Sequence, residues 1–243
     1  LLYCVNFKLH GLMTPSTVSV VDPNTMIEIT KIETGIMPHG SRISSDGRHQ
    51  YSVAMMSGEL YEVDAVSLKV SRVLKLDEMH MNHGDEMHMN HENHMFHSKV
   101  QPTWVTPHPS EPKVYVTGNV SNEIIEVDTN EWKIIRRFKT AGKAPYNTDI
   151  SSDGSHLVIT LKGEGKTEIK NLKTGKSKIV NNTTKVSHGV IISPDNKFAF
   201  VSVEGIGGEP GKLDVIDLRK ARLVSSVEVG KQAGGIALWK IEE

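Results

Sequence analysis

The sequence predicts an all-β fold, and three observations carry that prediction. Short apolar runs alternate with Gly, Pro, Asn and Asp along the chain, and no window shows a helical apolar stripe. A turn motif recurs at residues 44–47, 151–154 and 193–196 as SSDG, SSDG and SPDN. Strands that end in Val-Asp or Ile-Asp recur at a similar spacing. A period of roughly 42 residues with four strands per repeat is typical of a β-propeller blade.

Each repeat contains four strands in a constant order. An inner strand runs into the SxDG-type turn, a second strand follows the turn, a third ends in Val-Asp or Ile-Asp, and a fourth runs outward. In chain order the last three read QYSVAMM, ELYEVD and KVSRVLKL in one repeat, and KVYVTGN, EIIEVD and KIIRRFKT in the next. Asp22 and Asp64 are one period apart, and so are Asp64 and Asp128 once residues 77–97 are left out.

The two ends of the chain complement each other. Residues 1–7 read as a second strand, and residues 236–243 read as an inner strand. About five four-stranded antiparallel blades are therefore predicted in one propeller domain, residues 1–243. Either the ends share a blade in a five-bladed ring, or the sequence is a fragment of a larger ring. We favour the fragment.

Three stretches resemble the YVTN-type β-propeller family, which is related in fold to the surface-layer and cytochrome cd1 propellers. They are VYVTGN (114–119), VDTNEWKII (127–135) and SPD (193–195). The resemblance covers nearly the whole chain outside residues 77–97. It implies a ring that is commonly seven-bladed, and it implies no particular activity, because such propellers host many functions.

Residues 77–97, DEMHMNHGDEMHMNHENHMFH, form the Met/His tract, an insertion between two blades. The segment DEMHMNH occurs twice, separated by one glycine. Six of the chain's 12 histidines and five of its 10 methionines lie in this tract. Little apolar bulk is present to build a core, so the alternative to a metal-binding tract is a solvated insertion.

Imidazole and thioether together suit Cu(I), and imidazole alone suits Cu(II), Zn(II) or Ni(II). Methionine adds little for zinc, so the mixture favours copper over zinc. The nearby carboxylates can hydrogen-bond the second ring nitrogens of the histidines. The predicted ligands in the tract are Met79, His80, Met81, His83, Met87, His88, Met89, His91, His94, Met95 and His97.

Five equivalent loops lead into the inner strands and are expected to form one rim of the axial channel. They read PHG (38–40), PTW (102–104), PYN (145–147), SHG (187–189) and AGG (233–235). The tract enters the same rim, so His39 and His188 are predicted as further metal ligands. Alternatively, these histidines belong to the strand starts, and the following glycines serve the backbone.

The composition excludes some classes of function. A net charge of −1 argues against a nucleic-acid partner. No apolar run approaches the length of roughly 18 residues that a membrane-spanning helix needs. The single cysteine, Cys4, allows no internal disulfide and is expected to be buried on its strand, whereas His108 in a Pro-rich turn is expected to be exposed. No signal peptide is visible, and a first residue other than Met indicates that the sequence begins inside a longer chain.

Three hypotheses follow. The first is a periplasmic or extracellular propeller that binds a copper ion through the tract, for scavenging, delivery or tolerance. The second is a metal-assisted or lyase-like enzyme at the axial channel that uses His39, His188, Tyr146 and Trp104. The third is a surface-layer-type scaffold that binds another protein at a propeller face. No nucleophile–base arrangement is apparent in the sequence, so the first hypothesis ranks highest.

Overall fold

A computed structural model describes residues 1–8, 13–77 and 97–238, and every regular element in these ranges is a β-strand. The 19 strands form one three-stranded and four four-stranded antiparallel sheets, each with its strands in chain order. We number these sheets as blades 1 to 5. Blade 1 contains β1 (Leu2–Val5), β2 (Pro15–Val21) and β3 (Glu28–Ile36), and blade 2 contains β4 (Pro38–Ile43), β5 (His49–Ala54), β6 (Glu59–Asp64) and β7 (Lys69–Lys75). Blade 3 contains β8 (Pro102–Pro107), β9 (Lys113–Gly118), β10 (Glu123–Asp128) and β11 (Lys133–Lys139), and blade 4 contains β12 (Pro145–Ile150), β13 (His156–Leu161), β14 (Lys166–Asn171) and β15 (Ser177–Asn181). Blade 5 contains β16 (Val186–Ile192), β17 (Phe198–Glu204), β18 (Lys212–Asp217) and β19 (Arg222–Glu228).

The blades follow one another around an axis. The inner strands β4, β8, β12 and β16 are neighbours in that order, and β1 of blade 1 contacts β4. The chain is therefore a β-propeller of four-stranded antiparallel blades, as predicted. Within the described ranges no helix is present that could cross a membrane.

The hydrophobic core lies between blades. One cluster joins Val53 and Leu60 of blade 2 to Val105 and Val116 of blade 3. Similar clusters join blade 3 to blade 4, blade 4 to blade 5, and blade 1 to blade 2. A single antiparallel sheet has two faces to bury, and blades 2, 3 and 4 are each covered on both faces by the adjacent blades.

The residue before each of the inner strands β4, β8 and β12 adopts a left-handed backbone conformation, with φ of 56° at Met37, 47° at Gln101 and 52° at Ala144. Gln232, near the end of the described chain, has a similar φ of 53°. The inner strand predicted at residues 236–243 stays a prediction. No strand is assigned at residues 233–238, and residues 239–243 lie outside the described ranges.

Two of the burial predictions are wrong. Cys4 is exposed, because β1 directs Tyr3 and Val5 inward and turns Leu2 and Cys4 toward its uncovered face. His108 is only 7% exposed. Its Nδ1 accepts the backbone N–H groups of Ser110 and Glu111, at 3.2 and 2.9 Å, and these bonds turn the imidazole into the loop.

Candidate functional site at the channel rim

Every four-stranded blade begins with a shift of register in its inner strand. The shifts fall at residues 38–41, 102–104, 145–148 and 187–190. His39, Tyr146 and His188 lie inside three of these shifts. An extra residue in one strand re-aims the side chains around it, and such bulges are common beside functional sites. The side chains of these three residues therefore do not follow the regular alternation of the strand between its two faces.

The His39 imidazole uses both of its nitrogens. Its Nδ1 lies 2.7 Å from the Thr103 carbonyl, which can only accept, so Nδ1 carries the proton. The neutral ring then accepts at Nε2, where the Tyr146 hydroxyl donates at 2.7 Å. Burial lowers the pKa of His39 to about 4, and the Lys162 charge acts in the same direction. Burial also raises the pKa of Tyr146 to about 12, so both groups are neutral at pH 7.

Four rings, one from each of four blades, lie in contact with one another at the rim. The ring centroids are 5.1 Å apart for Phe7 and His39, 5.1 Å for His39 and Tyr146, and 4.6 Å for Tyr146 and His188. All three pairs meet edge to face, the favourable arrangement for aromatic rings. The hydrogen bond from Tyr146 to His39 joins blades 2 and 4, which are not neighbours. These rings therefore occupy the mouth of the channel.

An ion pair completes this group, which we call the axial cluster: Phe7, His39, Tyr146, Lys162, His188 and Glu204. Lys162 Nζ lies 4.1 Å from the centre of the Tyr146 ring and 3.0 Å from Glu204 Oε1. Neither charged residue was predicted from the sequence. A signal was present, because Lys162 and Glu204 lie one blade repeat apart, near the ends of consecutive second strands.

His188 is the less constrained of the two rim histidines. Its Nε2 lies 3.6 Å from Glu204 Oε1, and its buried Nδ1 has no hydrogen-bond partner among the described residues. Burial lowers the pKa of His188 to about 4, and Lys162 adds to the effect. An uncharged imidazole with an unpaired nitrogen can act as a base or as a metal ligand.

Hydroxyl groups fix the rim carbonyls of successive blades. Thr160 of blade 4 donates to the His188 carbonyl at 2.7 Å, and Ser202 of blade 5 donates to the Gly234 carbonyl. Thr103 of blade 3 donates to the Tyr146 carbonyl at 2.8 Å. Each bond joins a blade to the next one, so the backbone that carries the site is held on both sides.

The Met/His tract leaves and re-enters the fold close to one point. The Leu76 N–H donates to the Gly58 carbonyl at 2.8 Å, and the Ser98 N–H donates to the Met56 carbonyl at 3.0 Å. Asp77 Oδ1 accepts the Val100 N–H at 3.0 Å, which joins the two ends of the tract directly.

The predicted metal ligands divide into two groups. Ten of them lie outside the described ranges: Met79, His80, Met81, His83, Met87, His88, Met89, His91, His94 and Met95. The other three are described. His97 is exposed, and His39 and His188 both contact Tyr146. No group of three or more His, Cys, Asp or Glu side chains in the described part of the chain has the arrangement of a metal site.

Trp104, the fourth residue proposed for an enzyme site, is also placed at the rim. Its indole lies under the Arg42 guanidinium, whose carbon is 4.6 Å from the ring centre. Its buried Nε1 has no hydrogen-bond partner among the described residues. A buried indole N–H without a partner can donate to a bound molecule.

Comparison with known proteins supports the fold alone. No family model matches the chain, and no curated protein matches its sequence. Among solved structures, hydrazine synthase of Kuenenia stuttgartiensis aligns with a TM-score of 0.65 and 19% identity over 79% of this chain and 49% of that one. The dihydro-heme d1 dehydrogenase NirN, in complex with DHE, aligns with a TM-score of 0.61 and 16% identity over 93% of this chain and 43% of that one.

The chain thus spans less than half the length of either solved structure. Both likenesses agree with the blades described above, and the protein belongs to the β-propeller class. The resemblance to the YVTN-type family stays a prediction, because no family model matches.

Proposed function

We propose that this protein is a periplasmic or extracellular β-propeller that binds copper through the Met/His tract, for copper scavenging, delivery or tolerance. The observation that carries the proposal is the segment DEMHMNH, which is present in two identical copies. Each copy supplies two methionines and two histidines, a donor set that suits Cu(I) through thioether and Cu(II) through imidazole.

The described ends of the tract support this function. The hydrogen bond between Asp77 and Val100 joins the two ends of the tract where they leave the blades. A long surface insertion with joined ends costs the fold little. A ligand-rich segment can therefore load and release an ion without unfolding the propeller.

His39 and His188 are further candidate metal ligands, and His188 is the more available of the two. His188 has a nitrogen without a hydrogen-bond partner among the described residues, whereas His39 must give up Tyr146 or Thr103 to reach a metal. The Lys162 ammonium opposes positive charge on both rings, and it would oppose a bound cation as well. The tract is therefore expected to hold most of the copper.

The test is copper binding by untagged protein with and without the tract. Metal content after purification and competition with a chromophoric Cu(I) chelator are measured for the intact chain and for a variant whose residues 78–96 are replaced by a Gly-Ser linker of equal length. We expect the intact chain to bind copper and the linker variant to lose most of it. Retention of all copper by the variant, or no copper in either protein, would overturn the proposal.

An enzyme at the axial cluster is the second candidate, and one observation favours it. Tyr146 donates to a neutral His39 beside a His188 nitrogen that has no described partner, so a proton donor and a base face one mouth of the channel.

For this candidate, the discriminating variant is His188→Ala. Small molecules are screened by thermal shift for binding to the linker variant. Those that bind are tested again on the linker variant that also carries His188→Ala. A ligand that stabilises the first protein and not the second would favour an enzyme site. Absence of any such ligand, together with absence of copper, would favour an interaction scaffold.

A further inference from the structure

Three of the five methionines outside the Met/His tract lie at its base. The five are Met13, Met26, Met37, Met55 and Met56. The Met55 N–H donates to the Met37 carbonyl at 2.8 Å, and the Met56 N–H donates to the Ile36 carbonyl at 3.1 Å. Three of the five are therefore joined through the backbone at the rim of blade 2.

One of the three, Met56, adjoins an end of the tract. The Met56 carbonyl accepts the N–H of Ser98, which directly follows the tract. The Ser98 hydroxyl accepts the N–H groups of Val100 and Gln101, at 3.1 and 2.9 Å, and so fixes this turn. Met56 therefore lies beside the point where the tract re-enters the fold.

Met55 has equivalent residues in blades 3 and 4, which are Asn119 and Lys162. The backbone N–H of Asn119 donates to the Gln101 carbonyl and that of Lys162 to the Ala144 carbonyl, as that of Met55 does to Met37. The Lys162 side chain lies over Tyr146, and the Asn119 amide reaches the Pro145 carbonyl at 3.2 Å. Blade 2 thus carries an uncharged thioether where blade 4 carries an ammonium group.

The burial of these methionines fits a soft-metal site. Met37 is 9% exposed, and Met55 and Met56 are half-buried. Met26, in contrast, is 69% exposed in the turn between β2 and β3. Thioethers are neutral, so a metal that they bind competes with no proton, and they favour Cu(I) over Zn(II), Ni(II) and Cu(II).

We infer that Met37, Met55 and Met56 form a second, Cu(I)-selective thioether site at the base of the tract. The ion moves between the two sites without a change of oxidation state, so no electron donor is needed. The inference rests on the proposed function, because the tract supplies the ion. It adds a fixed site on the blade, in line with the channel mouth.

The test uses the linker variant described above under anaerobic conditions. We expect it to bind roughly one Cu(I) per chain, with similar affinity at pH 7 and pH 5, because thioethers do not titrate. Met55→Leu together with Met56→Leu should weaken Cu(I) binding by about tenfold or more, a loss of about 1.4 kcal/mol for each factor of ten. Leucine keeps the apolar volume, so the melting temperature should change little.

Met26→Leu is the matched control and should leave Cu(I) binding unchanged. Binding that survives Met55→Leu with Met56→Leu, or a linker variant that binds no Cu(I) while the intact chain binds copper, would overturn this inference and leave the proposed function standing. Absence of copper from the intact chain would overturn both.

A second measurement covers the case in which the linker variant fails to fold. In the intact chain with 13C-methyl methionine, Cu(I) added beyond the amount that the tract binds should shift the methyl resonances of Met37, Met55 and Met56 and leave that of Met26 unchanged. No shift at the three residues would reject the site.

Discussion

His39 performs a task that hydroxyl groups perform in other blades. Thr160 and Ser202, on the second strands of blades 4 and 5, donate to the rim carbonyl of the segment that follows. The equivalent residue of blade 2 is Val53, which has no hydroxyl group. There the His39 imidazole donates to the Thr103 carbonyl instead, and its second nitrogen becomes available to Tyr146.

Tyr146→Phe tests this arrangement at the level of one atom. The change leaves His39 Nε2 buried without its donor, and we expect a loss of about 1–2 kcal/mol in the free energy of unfolding. The pKa of His39 should rise, because the hydroxyl stabilises the neutral ring. Denaturant unfolding and imidazole NMR titration measure the two effects. Tyr3→Phe is the control, since the Tyr3 hydroxyl has no partner among the described residues; equal losses would contradict the prediction.

Acid should destabilise the protein through the two rim histidines. Their pKa values of about 4 lie below the ordinary 6.5, so the unfolded chain binds more protons between these limits. The free energy of unfolding is therefore largest above pH 6.5 and decreases as the pH falls toward 4. The decrease is on the order of 1–2 kcal/mol over the first pH unit below 6.5.

Denaturant midpoints at pH 7, 5.5 and 4.5 measure this loss. A variant with His39→Gln and His188→Gln should show a flatter dependence over the same range. Parallel curves for the two proteins would show that other groups carry the acid sensitivity.

Single residues were predicted least well from the sequence. The position of His39 and His188 at one rim followed from the repeat, because equivalent loops must meet around an axis. The inward turn of His108 did not, since it depends on two backbone N–H groups of its own loop. Lys162 and Glu204 were missed because an ion pair between blades joins residues that no local pattern connects.

Among structural elements, the bulged inner strands carry the site. Regular alternation would place neighbouring residues on opposite faces, and the register shifts at residues 145–148 and 187–190 change the direction of Tyr146 and His188. The strands themselves were predictable from their alternating apolar residues and from the turns between them. The shifts were not, because Pro-Tyr-Asn and Ser-His-Gly share no residue that would mark a bulge.

Thr160→Val tests the hydroxyl bonds that join one blade to the next. Valine keeps the shape of threonine but leaves the His188 carbonyl without its donor and the Asn147 N–H without its acceptor, so we expect a loss of about 1–3 kcal/mol in the free energy of unfolding. Thr160→Ser should recover most of it. Ser52→Ala removes a buried hydroxyl of blade 2 that has no partner among the described residues, and it should change stability by less than about 0.5 kcal/mol. If Ser52→Ala cost as much as Thr160→Val, the hydroxyl bonds would not explain the effect.

For the whole molecule, the class of fold followed from one property of the sequence, the length of its repeat. Blades of that length have too little core of their own, so the clusters between blades follow from the repeat itself. The copper function rests on the composition of the tract and stays a prediction.

Replacement of residues 78–96 by a Gly-Ser linker of equal length should leave the fold intact. The bonds from Leu76 to Gly58 and from Asp77 to Val100 lie outside the replaced segment. We expect the free energy of unfolding to change by less than about 1 kcal/mol, since loop closure depends weakly on sequence at constant length. Denaturant unfolding and circular dichroism measure this. A large loss would show that the tract itself contributes to the propeller core.

The bonds around Thr103 have a mechanical consequence. His39 of blade 2 holds the Thr103 carbonyl, the Thr103 hydroxyl holds the Tyr146 carbonyl of blade 4, and the Tyr146 hydroxyl returns to His39. These three hydrogen bonds form a closed triangle, so no two of these blades can slide past each other unless one bond breaks. Blades 2, 3 and 4 should therefore move as one rigid unit. A force applied through the tract would act on this unit before it reached blades 1 and 5.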